Sequence, residues 1–318
     1  MNKNEALIIN IQRLSTEDGP GLRTTVFFKG CNLRCQWCHN PESLSHKKQV
    51  EWYASRCMGC GRCVAACPTG SIHSYASGMK INRDTCVGCG KCVAACPTLA
   101  MEMQGKQYTV DDLVYEVLKD RNYFGPNGGI TASGGECMLQ ADFVEEFFTR
   151  LQREGIHTAL DTAGLVPQEH FERVLPHTNL VLLDLKLFDG EQHKRYTNVD
   201  NRLILKNAEY IANYCAAHPE TRLWIRTPII PQITDTQENV LYIGKFIAEY
   251  LQPNVDRWEL LAFNNLCMDK YERLDMEWKL KDIALIEQKK MQGLYEVARG
   301  SGVNPDIVLW TGNLKLES

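Results

Sequence analysis

No stretch of this chain runs 18 apolar residues without a break, so nothing in it is long enough to cross a bilayer as a helix. Residues 1–13 hold no apolar core of the kind that heads an exported chain. The charge balance lacks a basic excess. There are 35 Lys and Arg against 39 Asp and Glu, a net charge of −4, which argues against nucleic acid and anionic lipid as partners. Hydrophobic residues make up 44% and charged ones 23% of the chain, an ordinary globular balance that argues against disorder. The expectation is a cytoplasmic protein with no nucleic-acid or membrane partner. Its 318 residues suffice for one large α/β domain with a small module added.

What the chain does have is cysteine, 14 in all. Disulfides are disfavoured in a reducing compartment, so regularly spaced thiols read as metal ligands. Eleven fall into three tight groups, and only Cys137, Cys215 and Cys267 stand alone. Two of the groups are an internal repeat. CMGCGRCVAACPT from Cys57 and CVGCGKCVAACPT from Cys86 agree at 11 of 13 positions with an offset of 29. Each is C-x2-C-x2-C-x3-C followed by Pro, the pattern of bacterial two-cluster ferredoxins, in which the fourth Cys of a run ligates the other cluster. The expected sets are Cys57, Cys60, Cys63 and Cys96, and Cys86, Cys89, Cys92 and Cys67. Two four-thiolate zinc sites are the competing reading. Zinc gives no reason for the third thiolate at x2 or for the Cys-Pro ending.

The repeat occupies residues 42–107 and interrupts an alternation of strands and helices. Strands are expected at 24–29, 129–133, 157–162, 180–186, 222–229 and 257–263, short and bounded by Gly or Pro as buried parallel strands are. Helical patterns are expected at 110–122, 141–154, 168–175, 203–217, 239–250 and 280–301. Six strands alternating with six helices predict an α/β fold, a partial (β/α)6 TIM-like barrel left open on one side. Segments 1–41 and 108–318 would form that barrel, and 42–107 an inserted ferredoxin-like α+β module. Reactive groups of such barrels sit at the strand C-termini. Here those ends hold Cys31–Cys38, Gly134–Glu136, Asp161, Thr162, Asp184, Lys186, Arg226 and Asn264.

The third cysteine group, Cys31, Cys35 and Cys38, has the spacing C-x3-C-x2-C with Trp37 before the last thiol. Three thiolates leave one iron of a [4Fe–4S] cluster open, and an open metal position marks catalytic use. This loop resembles that of the radical S-adenosylmethionine (SAM) superfamily. The wider match is to the glycyl radical enzyme activating enzymes. It runs through Asp18-Gly19-Pro20-Gly21-Leu22-Arg23-Thr24-Thr25-Val26-Phe27, Ser133-Gly134-Gly135-Glu136 and Leu160-Asp161-Thr162-Ala163-Gly164. It continues through Leu183-Asp184-Leu185-Lys186, Thr197-x3-Asn201, Arg226-Thr227-Pro228 with Pro231 and Asp235, and Leu260 to Tyr271.

The resemblance implies three [4Fe–4S] clusters, SAM, and a chain that cleaves SAM reductively to place a radical on a backbone glycine of a partner enzyme. It implies that Cys31, Cys35 and Cys38 hold the SAM cluster beside Trp37, and that Gly134, Gly135 and Glu136 contact the methionine amino end of SAM. Asp161 and Lys186 would hold the ribose or carboxylate region, and Arg226 would pair with a carboxylate at the same mouth. Asp161, Thr162 and Asp184 would bind a monovalent cation. A flavodoxin or ferredoxin would supply electrons. The partner would be a glycyl radical enzyme of the choline trimethylamine-lyase, diol dehydratase, decarboxylase or sulfonate lyase type, with choline trimethylamine-lyase favoured.

Several positions depart from the family pattern. Cys137 stands where Pro or Ala is frequent, Asn198 where Gly is, and Ala262 and Asn264 replace a Pro and a His. Asn264 can still hydrogen-bond to SAM but cannot titrate. Blander roles are expected elsewhere: His39 as a loop hydrogen-bonder, Cys215 as a buried apolar thiol, and Trp52 and Tyr53 as packing residues.

Overall fold

The computed structural model describes residues 4–76, 78–312 and 314–315. The outermost expected limits, residues 1 and 318, lie outside that range. The chain opens with β1 (Glu5–Ser15) and β2 (Arg23–Phe28). Then come β3 (Gln49–Trp52), α1 (Arg62–Ala66), β4 (Ile72–Tyr75), β5 (Gly78–Ile81), α2 (Lys91–Ala94) and β6 (Met101–Gln104). The larger unit resumes with β7 (Lys106–Thr109), α3 (Val110–Leu118), β8 (Gly129–Gly134), α4 (Ala141–Arg153), β9 (His157–Thr162), α5 (Gln168–Val174) and β10 (Leu180–Asp184). It ends with α6 (Gly190–Thr197), α7 (Arg202–Ala217), β11 (Arg222–Ile229), α8 (Gln237–Phe246), β12 (Arg257–Ala262), α9 (Met268–Arg273), α10 (Gln288–Arg299) and β13 (Val308–Thr311).

Nine strands form one sheet in the order β13-β12-β11-β10-β9-β8-β2-β1-β7. The six expected strands are present and pair in parallel from β2 to β12. Three strands extend the expected set: β13 adds in parallel to β12, and β1 pairs antiparallel with both β2 and β7. Neither edge strand pairs with the other, so the barrel is partial. Several expected bounds shift by one to four residues, and the start of the last helix by eight. The strand at 180–186 stops at Asp184, and the last helix starts at Gln288, because Trp278, Leu280 and Ile286 are buried from irregular backbone instead.

Strand alternation builds the core and the site together. Leu160, Val181, Leu183, Leu223 and Ile225 face the helices and join Phe147, Phe171 and Ile211 in the main core. The intervening residues Ala159, Leu180, Leu182 and Trp224 pack on the opposite, barrel-inner face. Two residues further along those inner rows come Asp161, Asp184 and Arg226, at the strand C-termini. Among the described residues no helix is long and apolar enough to cross a membrane.

Candidate active site

The loop carrying Cys31, Cys35 and Cys38 leaves β2 and is tied down from three sides. The amides of Arg34 and Gln36 donate to the carbonyls of Thr197 (2.8 Å) and Tyr196 (3.0 Å) at the end of α6. Asn32 donates to Leu165 O (2.5 Å), and the Tyr271 hydroxyl of α9 to Cys38 O (2.9 Å). Asn198 closes α6 at φ 71°, the left-handed conformation that Asn tolerates. His39 Nε2 bonds Asn264 O at 3.1 Å, so Asn264 meets the loop through its backbone, while its side chain accepts from Leu266 N. Trp37 lies in an apolar wall with Leu187, Ile230, Phe263, Tyr271 and Trp278.

The Gly-Gly pair explains how β8 reaches this loop. Gly134 has φ +114°, and a Cβ there would lie 2.3 Å from Phe28 N; at Gly135 it would lie 2.2 Å from Gly30 O. Without side chains the backbones touch, and Gly135 N and Glu136 N donate to Phe28 O (3.0 Å) and Gly30 O (2.9 Å). The Glu136 side chain is fully buried and points along the sheet. It accepts from Thr162 Oγ1 (2.8 Å), Ala163 N (2.9 Å) and Met138 N (3.1 Å). Burial pushes its carboxyl up to about 7 in spite of those three donors. Glu136 therefore clamps the β8 and β9 ends together.

Beside it lies a quartet of alternating charge. Arg226 donates to Asp161 through Nη2 and to Asp184 through Nε (3.2 Å), and Lys186 Nζ donates to Asp184 (2.5 Å). Ser133 Oγ donates to the second Asp161 oxygen at 2.5 Å. Burial works against ionisation of Asp184, but Lys186 and Arg226 outweigh it and hold it below its usual value. Burial raises Asp161, and Arg226 offsets this only in part. The oxygens expected to bind a monovalent cation are thus taken by a guanidinium, an ammonium and, at Thr162, by Glu136.

Burial pushes Cys31 up to about 12 and Cys35 and Cys38 upward as well, and Lys186 draws Cys35 back. Cys31 and Cys38 also feel each other and Cys35. Three mutually close, desolvated thiols become ligands only with a positive counter-charge, which a bound iron cluster supplies. The donor set fits such a group.

In the insert, one hollow is lined by Cys57, Cys60, Cys63 and Cys96, and another by Cys67, Cys86, Cys89 and Cys92. Each takes three thiols from one run and one from the other. Ser71 N donates to Cys67 Sγ (3.3 Å) and Ala100 N to Cys96 Sγ (3.2 Å), the same bond at repeat-equivalent positions. Burial opposes ionisation of Cys67, but hydrogen bonds from Thr69, Ser71 and Ile72 bring it down to about 7. Four thiols thus line each hollow.

Sequence reasoning assigned no role to Ser133 or Tyr271, and read Asp18 only as a turn residue or a contact for the partner's glycyl loop. Asp18 accepts from Ser15 (2.9 Å) and Thr25 (2.7 Å), and its charge reaches Arg226 and Asp161. The run Ser133-Gly-Gly-Glu carried a signal for Ser133. Nothing local marked Tyr271, which lies 233 residues from Cys38. Cys137 is buried, its thiol donating to Ala132 O (3.6 Å) and Asp161 O (3.4 Å), and Cys215 and Cys267 are buried too.

A family model described as the radical SAM superfamily matches residues 25–241. The trans-4-hydroxy-L-proline dehydratase activating enzyme of Clostridioides difficile is 39% identical over 304 residues, 95% of this chain and 98% of that one. The indoleacetate decarboxylase activating enzyme of Tractidigestivibacter scatoligenes is 37% identical over 311 residues, covering 95% and 96%. Among solved structures, Streptococcus suis SuiB bound to precursor peptide SuiA aligns with a TM-score of 0.51 at 11% identity. It covers 89% of this chain and 46% of SuiB, a likeness of fold alone.

Proposed function

This chain belongs to the radical SAM superfamily and within it to the glycyl radical enzyme activating enzymes, and from that premise we propose how its residues divide the work. Cys31, Cys35 and Cys38 hold three irons of the SAM cluster. The two hollows of the insert take one further [4Fe–4S] cluster each, in the crosswise sets Cys57/Cys60/Cys63/Cys96 and Cys86/Cys89/Cys92/Cys67. A cluster bound there would supply the one electron that breaks the S–C5′ bond of SAM, releasing methionine and leaving the 5′-carbon to take a hydrogen atom from a glycine of the partner.

The observation that carries this reading is the convergence of the three-thiol loop with Glu136, Asp161, Asp184, Lys186 and Arg226 at one end of the barrel. Gly134 and Gly135 bring backbone donors against the loop. Glu136 fixes the β9 end, so that Asp161 keeps its place. Lys186 and Arg226 form a preorganised pair of positive charges, held by Asp161 and Asp184, facing the region where the carboxylate of SAM binds. The apolar wall of Trp37, Phe263 and Trp278 keeps water from the loop.

The partner is a glycyl radical enzyme of the class that the relatives activate, dehydratases and decarboxylases among them. A choline trimethylamine-lyase belongs in the same panel. The test is anaerobic: the reconstituted protein, SAM and a low-potential reductant are mixed with each candidate partner and followed by electron spin resonance. A glycyl radical doublet on one partner is expected. Formation of 5′-deoxyadenosine without a doublet on any of them would overturn the partner assignment.

A further inference from the structure

We propose that α9 is a clasp through which the seating of the insert holds the SAM-cluster loop in its binding shape, with Arg273 as the positioning residue on the insert side. The proposal rests on the reading of Cys31, Cys35 and Cys38 as cluster ligands, and it requires no electron transfer through the insert. The helix follows β12 and is six residues long. On one side it grips the cysteine loop where that loop turns into the insert. The Tyr271 hydroxyl donates to Cys38 O (2.9 Å), and Lys270 Nζ donates to Asn40 Oδ1 (2.9 Å) and Glu42 Oε1 (2.8 Å). Tyr271 is itself fixed, stacked on Trp278 with ring centroids 5.6 Å apart. The Glu42 carbonyl in turn accepts from the buried Lys29 Nζ (2.5 Å).

Within the same turn, Arg273 grips the insert. Its Nη1 donates to the Tyr53 hydroxyl (3.2 Å) and lies 3.9 Å from Glu51 Oε2, while the guanidinium covers the Tyr53 ring at 4.6 Å. Glu51 is 1% exposed, and its hydrogen bonds come from neutral donors, Tyr53 (3.1 Å) and Gln104 (3.0 Å). A buried carboxylate left without a nearby cation is costly, so the insert holds Arg273 to its place. The insert also reaches back: Arg83 Nη2 donates to Arg273 O (3.5 Å), the last carbonyl of the helix and one that has no partner within it.

Two grips on one turn of helix cannot shift independently. Loosening Arg273 from Glu51 and Tyr53 lets α9 move, and Lys270 and Tyr271 then carry Asn40 and Cys38 with them. Cys38 holds a cluster iron in this reading, so the affinity of the loop for SAM falls. Linkage makes the effect reciprocal: SAM bound at the loop stabilises the seat of the insert by the same factor. The pair Lys80–Asp275 spans the same seam at 3.7 Å, but its side chains are 57% and 49% exposed, and a pair so exposed contributes little.

The test uses the anaerobic, reconstituted holoprotein and SAM, with affinity read from the change SAM makes in the spectrum of the reduced cluster. Arg273→Ala at wild-type iron content should raise the Kd for SAM about tenfold, within the usual range of coupling between sites. Tyr271→Phe should raise it too, and the double variant should match the larger single effect within about twofold, whereas independent effects multiply. Arg273→Lys should recover part of the loss, and Lys80→Ala should stay within about twofold of wild type. Glu51→Gln keeps an acceptor for Tyr53 but not the charge facing Arg273, and should raise the Kd by a smaller factor. In the wild type, SAM should slow hydrogen exchange over residues 49–53, and Arg273→Ala should abolish that slowing. Unchanged SAM affinity in both Arg273→Ala and Glu51→Gln would overturn the proposal. So would multiplied effects in the double variant, or exchange at 49–53 that does not respond to SAM. A wild-type holoprotein that binds SAM with these couplings but activates no glycyl radical partner would count against the proposed function and leave the clasp standing.

Discussion

Replacing Gly135 by alanine tests the closest approach in the site. The added Cβ would stand 2.2 Å from the Gly30 carbonyl oxygen, against ordinary contact at 3.4 Å or more. The two backbones must therefore part by roughly 1 Å, because neither neighbour is the free end of a side chain. That separation breaks or lengthens the bonds from Gly135 N to Phe28 O and from Glu136 N to Gly30 O. At about 1 kcal/mol each, with overpacking strain of about 1–2 kcal/mol, the cost is about 3–4 kcal/mol. For a chain of this size that is a fall in Tm of roughly 4–6 °C. Gly30 also precedes Cys31, so SAM affinity should fall with stability while the insert clusters keep their spectra. Thermal unfolding and SAM titration of the anaerobic holoprotein read both effects. Gly293→Ala on α10 is the control, since nothing lies within 4 Å of its added Cβ; it should be neutral or stabilise by up to about 1 kcal/mol. A Gly135→Ala protein with wild-type Tm and SAM affinity would refute the close-approach argument.

Arg226→Ala leaves Asp161 and Asp184 facing each other with Lys186 alone to balance them, so it should cost about 3–5 kcal/mol in urea unfolding. Adding Asp161→Asn should recover part of that loss, and strictly additive costs would show that the quartet is not a unit. Cys67→Ser and Cys92→Ser should alter the same iron–sulfur signal, and Cys96→Ser and Cys63→Ser the other. Pairing within a run would contradict the crosswise hollows. His157 is held down to about 4 by burial and then by the charge of Arg23. The unfolded chain thus takes up its proton first, and the contribution is full above the ordinary value of 6.5 and lost as pH falls toward 4. His157→Gln should flatten the fall in urea midpoint across that window, and an unchanged slope would refute the assignment.

The sequence by itself determined what depends on neighbours along the chain. Thiol spacing, the repeat at an offset of 29, and the alternation that marks β8 to β12 are local properties, and they carried the fold class and the ligand types. Short signals were weaker. The strand β13 has only four residues, and β1 has just Ala6, Ile8 and Ser15 buried along its length, too sparse an apolar pattern to read.

Tertiary structure decided which groups face each other. Glu136 reads as a ligand contact in its motif, but only the parallel pairing of β8 with β9 turns it onto Thr162 and Ala163. Asp161 and Asp184 stand on neighbouring strands, and Arg226 arrives from β11, 65 residues beyond Asp161, to bridge them. Tyr271 reaches the cysteine loop, and Arg273 the insert, through contacts made across the folded chain. Spacing along a backbone constrains geometry over a few residues. Beyond that, position is set by which strands pair and which side chains can be buried together, and those follow from the packing of the whole chain.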